Sequence, residues 1–197
     1  MIVDIDEMGP VAAKSYPGRQ LVCARSQQQD GGAPWRATQE ADYGRRGKGY
    51  VFGAFVATSG TAFTACYDRR TTANFVDFLV QVEAWVPAEA ESVYAIMDNL
   101  SAHRGADALL FSARYPRWRF VFQPTYAPYL NLIEPWWKTL RSLALKGRRF
   151  ETWEEVREAI VAATQYWNAH RHPFVWGRRR RRQPRRRAGI AQVANVA

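Results

Sequence analysis

The short apolar run SVYAIM at residues 92–97, polar on both flanks, restricts the possible folds more than any other stretch of this chain. A run this short and without polar alternation suits a central strand buried on both faces, and such a strand needs a layer of structure above it and another below. It stops abruptly on Asp98 and Asn99. Asp and Asn favour turns and helix caps, which is one explanation of the pair. The other is a carboxylate presented at the carboxyl end of a central strand, where ligands of α/β sheets tend to sit.

The elements around this run follow from periodicity. MIVDID alternates apolar and acidic residues, so it is expected as a strand with Val3 and Ile5 on one face and Asp4 and Asp6 on the other, and EMGP is expected as a turn. YVFGAFVATSGTAFTACYD is a hairpin around Thr58, Ser59 and Gly60, and the polar SQQQDGGAPWRATQEADYGRRGKG before it is expected to be a long mobile loop. A helix is predicted over 72–86, with Phe75, Leu79, Val82 and Val86 on one stripe and Pro87 beyond its end. Ala106, Leu109, Leu110 and Ala113 mark a second helix, and WRFVFQP a strand stopped by Pro124.

A third helix is predicted over 131–145, apolar at Ile133, Trp137, Leu140 and Ala144 and capped by Asn131. Trp136 and Trp137 are not both expected to face the core, leaving one for a subunit contact or for stacking on an unpaired base. A fourth helix over 152–170 opens with the Thr152 and Glu155 of a capping box and buries Trp153, Val156, Ile160, Ala163 and Trp167. The predicted class is α/β, one mixed sheet with antiparallel strands at one side and parallel strands at the other, flanked by helices.

At 197 residues with 47% hydrophobic content the chain is long enough for one domain with a sizeable core. Without a membrane-spanning apolar run or a signal peptide, it is expected to be soluble and cytoplasmic. Cys23 and Cys66 have neither zinc-knuckle nor redox-pair spacing.

The net charge of +10 is concentrated at the end: residues 159–197 hold nine arginines and no acid, leaving the body nearly neutral. Domain bounds of 1–176 for the folded body and 177–197 for a basic tail follow. The tail arginines Arg178, Arg179, Arg180, Arg181 and Arg182 suit a polyanion, with nucleic acid favoured through counterion release; a solvated tail is the alternative. A membrane surface is disfavoured because the run has no apolar residue to insert.

Asp6 and Asp98 both fall at predicted carboxyl ends of strands, and Glu134 falls in the first turn of the third helix. An ion pair between Glu134 and Lys138 would be worth only a few tenths of a kcal/mol. Convergence of the three carboxylates would matter more, because two such charges about 5 Å apart repel by roughly 3 kcal/mol at an effective dielectric near 20. A hard dication such as Mg²⁺ neutralises such a cluster.

The segments IDEMGP, YAIMDNLSAHR and PTYAPYLNLIEPWWKTLR resemble the three active-site segments of the mariner-type insertion-sequence transposases, in the DDE superfamily of endonucleases. FVDFLVQV and the ending YWNAHRHPFVWGRRRRR are also similar to that family, and 35 residues separate Asp98 from Glu134, close to its usual interval. The resemblance implies a ribonuclease-H-like fold, two Mg²⁺ or Mn²⁺ ions, DNA strand cleavage and strand transfer.

It also implies Asp6, Asp98 and Glu134 as metal ligands, with Asp4 the alternate for the first. Asn99 would hydrogen-bond a metal water or the Asp98 carboxylate. His103 would steady substrate phosphate or cap its helix, and Lys138 and Arg141 would grip the DNA backbone or remain solvated charges. The implied partners are transposon-end and target DNA, a second copy of the chain, and a helix-turn-helix DNA-recognition polypeptide encoded upstream. The chain is accordingly expected to be the downstream half of a split transposase or an inactive relic, acting at the prokaryotic nucleoid. The competing readings are a non-enzymatic basic DNA-binding protein and a ribonuclease-H-like nuclease.

Overall fold

Alternation in the first residues sets the layers. In the computed structural model, which describes residues 1–18, 42, 44, 46–98, 106–124 and 130–174, Val3 and Ile5 are fully buried on one face of strand β1 (Ile2–Ala12). Asp4, Asp6 and Met8 alternate with them and take the other face. The predicted turn at EMGP is instead part of the strand. β1 continues through it, and its register on β3 shifts between Met8 and Val11, so Gly9 and Pro10 are absorbed as an irregularity.

The rest of the chain follows as β2 (Ser15–Tyr16), β3 (Lys48–Val56), β4 (Thr61–Tyr67), α1 (Thr72–Trp85), β5 (Val93–Met97), α2 (Ala106–Arg114), β6 (Trp118–Phe122), α3 (Ile133–Ala144), β7 (Arg148–Arg149) and α4 (Trp153–Ala169). The main sheet has the order β4-β3-β1-β5-β6; β3 and β4 run antiparallel to their neighbours, while β5 and β6 run parallel to β1. This is the mixed sheet expected from the order of elements. Strands β2 and β7 form a separate two-stranded ladder.

One core fills the face carrying Val3 and Ile5, where Phe52 and Ala54 of β3 meet Phe75, Phe78, Leu79 and Val82 of α1. The other packs Met8, Val51 and Phe55 under α3 and α4. Thr71 starts α1 by accepting the Asn74 amide hydrogen, and Thr152 starts α4 by accepting that of Glu155. The Glu155 carboxylate accepts from the Glu151 amide, one residue earlier than a standard capping box would have it.

Three expectations change. Strand β5 is central but not buried on both faces: Val93, Ala95 and Met97 are buried, whereas Tyr94 is exposed and Ile96 half-buried, because α3 lies over β1 and β3 rather than over β5. In α2, Leu110 is 66% exposed, and Phe111 turns inward against Trp118 and Phe120. Trp136 and Trp137 are both buried. Helix α3 sits in the angle between the sheet and α4, so its buried arc is wide enough for two consecutive residues; Trp136 stacks on Phe55 with ring centres 5.8 Å apart. Neither indole is exposed for base stacking.

The end of α3 turns through Gly147, in the left-handed region at φ +79°, and the Gly147 amide donates to the Tyr16 carbonyl at 2.6 Å. Nothing lies within 4 Å of where a Gly147 side chain would go. Gly147→Ala is therefore expected to destabilise through backbone strain alone, by about 1 kcal/mol, seen as a melting temperature about 2 to 4 °C lower. The expected loop across residues 26–49 lies mostly outside the described residues, and its last two, Lys48 and Gly49, belong to β3.

Candidate active site

Asp6 stands in the middle of β1 rather than at the carboxyl end expected for it, because the strand runs on to Ala12, whereas Asp98 directly follows the last residue of β5. β1 and β5 pair as Ile2 with Tyr94, Val3 with Ala95 and Asp4 with Ile96. The pairing ends there; the same register carried on by two residues would set Asp98 level with Asp6. Asp98 is exposed at the end of β5.

Helix α3 supplies the third carboxylate, and β1 holds the start of that helix. Asn131 donates from Nδ2 to the Ile5 carbonyl at 3.0 Å, and its Oδ1 accepts from the Ile133 amide. Asn131 is not the cap expected of it: α3 begins at Ile133, and Leu132 takes the cap position with no side-chain hydrogen bond, while Asn131 is drawn one residue earlier to tie the helix start to the strand that carries Asp6. Asp4, 1% exposed, accepts the Leu132 amide hydrogen through Oδ1, while its Oδ2 is buried without a hydrogen-bond partner. Burial pushes Asp4 up to about 6, against that hydrogen bond. Asp4 therefore sits beneath the start of α3, whereas Asp6, two residues on, is partly open to solvent.

Asp6 is the carboxylate around which the site is organised. Burial pushes it up to about 7, the Trp137 indole opposes this by donating from Nε1 at 2.9 Å, and the neighbouring Glu134 charge raises it further. Glu134 is thus near enough to Asp6 for their charges to interact. Its place in the first turn of α3 also favours a negative charge. Among the described residues no three acidic, His or Cys side chains are gathered tightly enough to enclose a metal ion.

The Trp137 contact depends on Gly53, which pairs with Asp6 across the β1–β3 ladder. A Cβ at Gly53 would run into the Trp137 ring and meet Ile133. The sequence reading missed this arrangement, although a glycine inside the apolar strand VFGAFV is itself a sign of close approach. It also missed that Arg141 places Nε 3.0 Å from the Met8 sulfur. Lys138 and Arg141 are exposed on α3; Asn99, His103 and the arginines at 178–182 lie outside the described residues.

Trp137→Phe keeps the ring but removes the hydrogen donated to Asp6. A hydrogen bond to a charged group is worth about 1.5 to 3 kcal/mol, so urea unfolding at neutral pH is expected to reveal a loss of that order. Unchanged stability would mean that the indole and Asp6 do not interact.

A family described as DDE superfamily endonuclease matches residues 22–157. The chain belongs to the DDE superfamily of endonucleases. The match takes in Asp98 and Glu134, and Asp6 lies ahead of it. An IS630 insertion-element protein of Shigella sonnei, 39 kDa and described as uncharacterized, is 26% identical over 108 residues, which is 54% of this chain and 31% of that protein.

Among solved structures, a Mos1 transposase paired-end complex with the left transposon end gives a TM-score of 0.63 at 16% identity, covering 88% of this chain and 49% of that one. A Mos1 mariner paired-end complex with Mn gives 0.62 at 16% identity with the same coverage, and one with Mg gives 0.59 at 15%. At such identities the likeness is one of fold, the ribonuclease-H-like arrangement of this DDE endonuclease. The chain spans about half the length of the solved proteins it matches and about a third of the insertion-element protein.

Proposed function

We propose that this chain is the catalytic domain of a transposase that cleaves DNA strands and joins them to new sites, with Asp6, Asp98 and Glu134 holding divalent cations. The observation that carries the proposal is the half-open Asp6 carboxylate with the Glu134 charge beside it, within a chain of the DDE endonuclease family. Mos1 structures with Mn and with Mg support the choice of metal.

The donor set fits Mg²⁺ or Mn²⁺. Every candidate ligand is a carboxylate oxygen, as hard cations require, and Asp6 sits where burial and Glu134 disfavour its charge in the absence of a cation. Two bound ions would supply activation of the attacking oxygen and stabilisation of the leaving one in an in-line phosphoryl displacement. The protein's part is to hold the carboxylates. Asn131 and Asp4 fix α3 against β1, and Trp137 orients the Asp6 carboxylate. Asp98 and Glu134, wholly and partly exposed, would complete the ligand set.

Asp6 is assigned ahead of Asp4 because Asp4 is enclosed and accepts the Leu132 amide hydrogen. Lys138 and Arg141, with the tail arginines at 178–182, bind the DNA backbone, and Asn99 and His103 act beside Asp98. The partners are transposon ends, target DNA, a second copy of the chain and a helix-turn-helix polypeptide, at the nucleoid in the prokaryotic cytoplasm. No helix among the described residues is long and apolar enough to cross a membrane. The test is to incubate the protein, Mn²⁺ and a pre-cleaved DNA end bearing a 3′-hydroxyl with target DNA. Joined product is expected; cutting without joining would indicate a nuclease, and neither would favour a non-enzymatic DNA-binding protein.

A further inference from the structure

Beside the carboxylates, α3 and β2 enclose a groove of about 370 Å³ lined by Tyr16, Pro17, Lys138, Arg141, Ser142 and Lys146. Four arginines elsewhere are held in ion pairs. Arg117 is paired with Glu83, Arg46 with Asp42 and Glu151, Arg149 with Glu151, and Arg157 with Glu154. Among the described residues no ion pair joins Lys138, Arg141 or Lys146 to an acid, and no acid lines the groove. Three uncompensated positive charges on one groove repel one another, so an anion bound there relieves as well as gains.

The groove is held in shape from both sides. Tyr16 donates from its hydroxyl to the Ala12 carbonyl at 2.6 Å and packs edge-on against Phe150, and the Gly147 amide joins the end of α3 to the Tyr16 carbonyl. Arg141 rests on Met8, which lies two residues beyond Asp6 on the same strand face and hence about 7 Å from it. Along the helix, Lys138 follows Glu134 by about 6 Å and Arg141 by about 10 Å, with Lys146 just past the helix end.

We infer that this groove is the track for one strand of DNA leaving the carboxylates, with Lys138, Arg141 and Lys146 on successive phosphates and Tyr16 and Pro17 against the sugars and bases. The wall formed by Tyr16 and Pro17 suits a strand whose bases are unpaired. The inference rests on the DNA-processing function proposed above and adds Tyr16, Pro17 and Lys146 to it.

The test is binding of a fluorescent single-stranded oligothymidylate to the full chain in EDTA, followed by anisotropy across a range of salt concentrations. Each phosphate neutralised on a single strand contributes about 0.7 to the slope of log affinity against log salt. The variant K138A/R141A/K146A is expected to lower that slope by about 2, and K138R/K146R to keep the parent slope. The control K48A/R69A/R114A, which removes the same charge elsewhere, is expected to change it far less. A groove variant with the parent's slope and melting curve overturns the inference, and so does a control that loses as much. Because EDTA prevents metal-dependent cutting, the result is independent of whether the protein cleaves or joins DNA.

Discussion

Asp98→Asn is expected to bind DNA with nearly the parent's affinity and to cut it at least 1000-fold more slowly in Mg²⁺ or Mn²⁺. Asn is isosteric and retains one oxygen, so the end of β5 has no reason to rearrange, but the charge that would attract a dication is gone. Metal ions contribute several kcal/mol to such a transition state, and about 4 kcal/mol corresponds to roughly 1000-fold in rate. Glu134→Gln should behave similarly. Nicking of a supercoiled plasmid, measured beside calorimetric titration with Mn²⁺, checks both consequences. A variant that cuts as fast as its parent removes Asp98 from the site, and loss of cutting with undiminished Mn²⁺ binding removes it from the metal.

Gly53→Val should be the most disruptive substitution outside the carboxylates. Gly53 faces Asp6 across the ladder, and the space its missing side chain leaves is filled by the Trp137 ring. Overpacking of a core typically costs about 1 to 3 kcal/mol. Here the displaced ring also carries the hydrogen donated to Asp6, so the upper end of that range is expected, about 5 to 10 °C in melting temperature for a chain of this size. The carboxylate site should suffer with the fold. Mn²⁺ affinity is expected to fall in Gly53→Val, whereas Gly147→Ala, strained at a distant turn, should leave it unchanged. Equal Mn²⁺ affinity in the two variants would show that Trp137 does not position Asp6.

Much of the architecture was legible because it is written in local periodicity. Alternation assigned Val3 and Ile5 to one face and Asp4 and Asp6 to the other, the 3.6-residue stripe located the buried side of α1, and Thr152 marked the start of α4. These signals depend only on neighbours along the chain. Where packing decides, they failed. The turn expected at EMGP is overridden because β3 pairs with β1 on both sides of Gly9 and Pro10, and Tyr94 is exposed because no helix in the described structure covers β5 on that side.

The two tryptophans of α3 make the same point. Helical geometry alone turns consecutive residues about 100° apart, but a helix lodged between a sheet and a second helix has two surfaces to meet.

For the site, residue types and order along the chain pointed to Asp98 and Glu134 through their resemblance to a family, and to Asp6 with Asp4 as its alternate. Strand pairing and the docking of α3 separate those two: one lies under the helix with an oxygen lacking any partner, the other reaches partial solvent beside Trp137. Linear sequence can specify that an acidic side chain ends a strand, because this is a property of a few adjacent residues. Which acids become neighbours, and which cations are left without counterions beside them, depends on contacts between residues up to 133 positions apart, and only the folded chain brings these together.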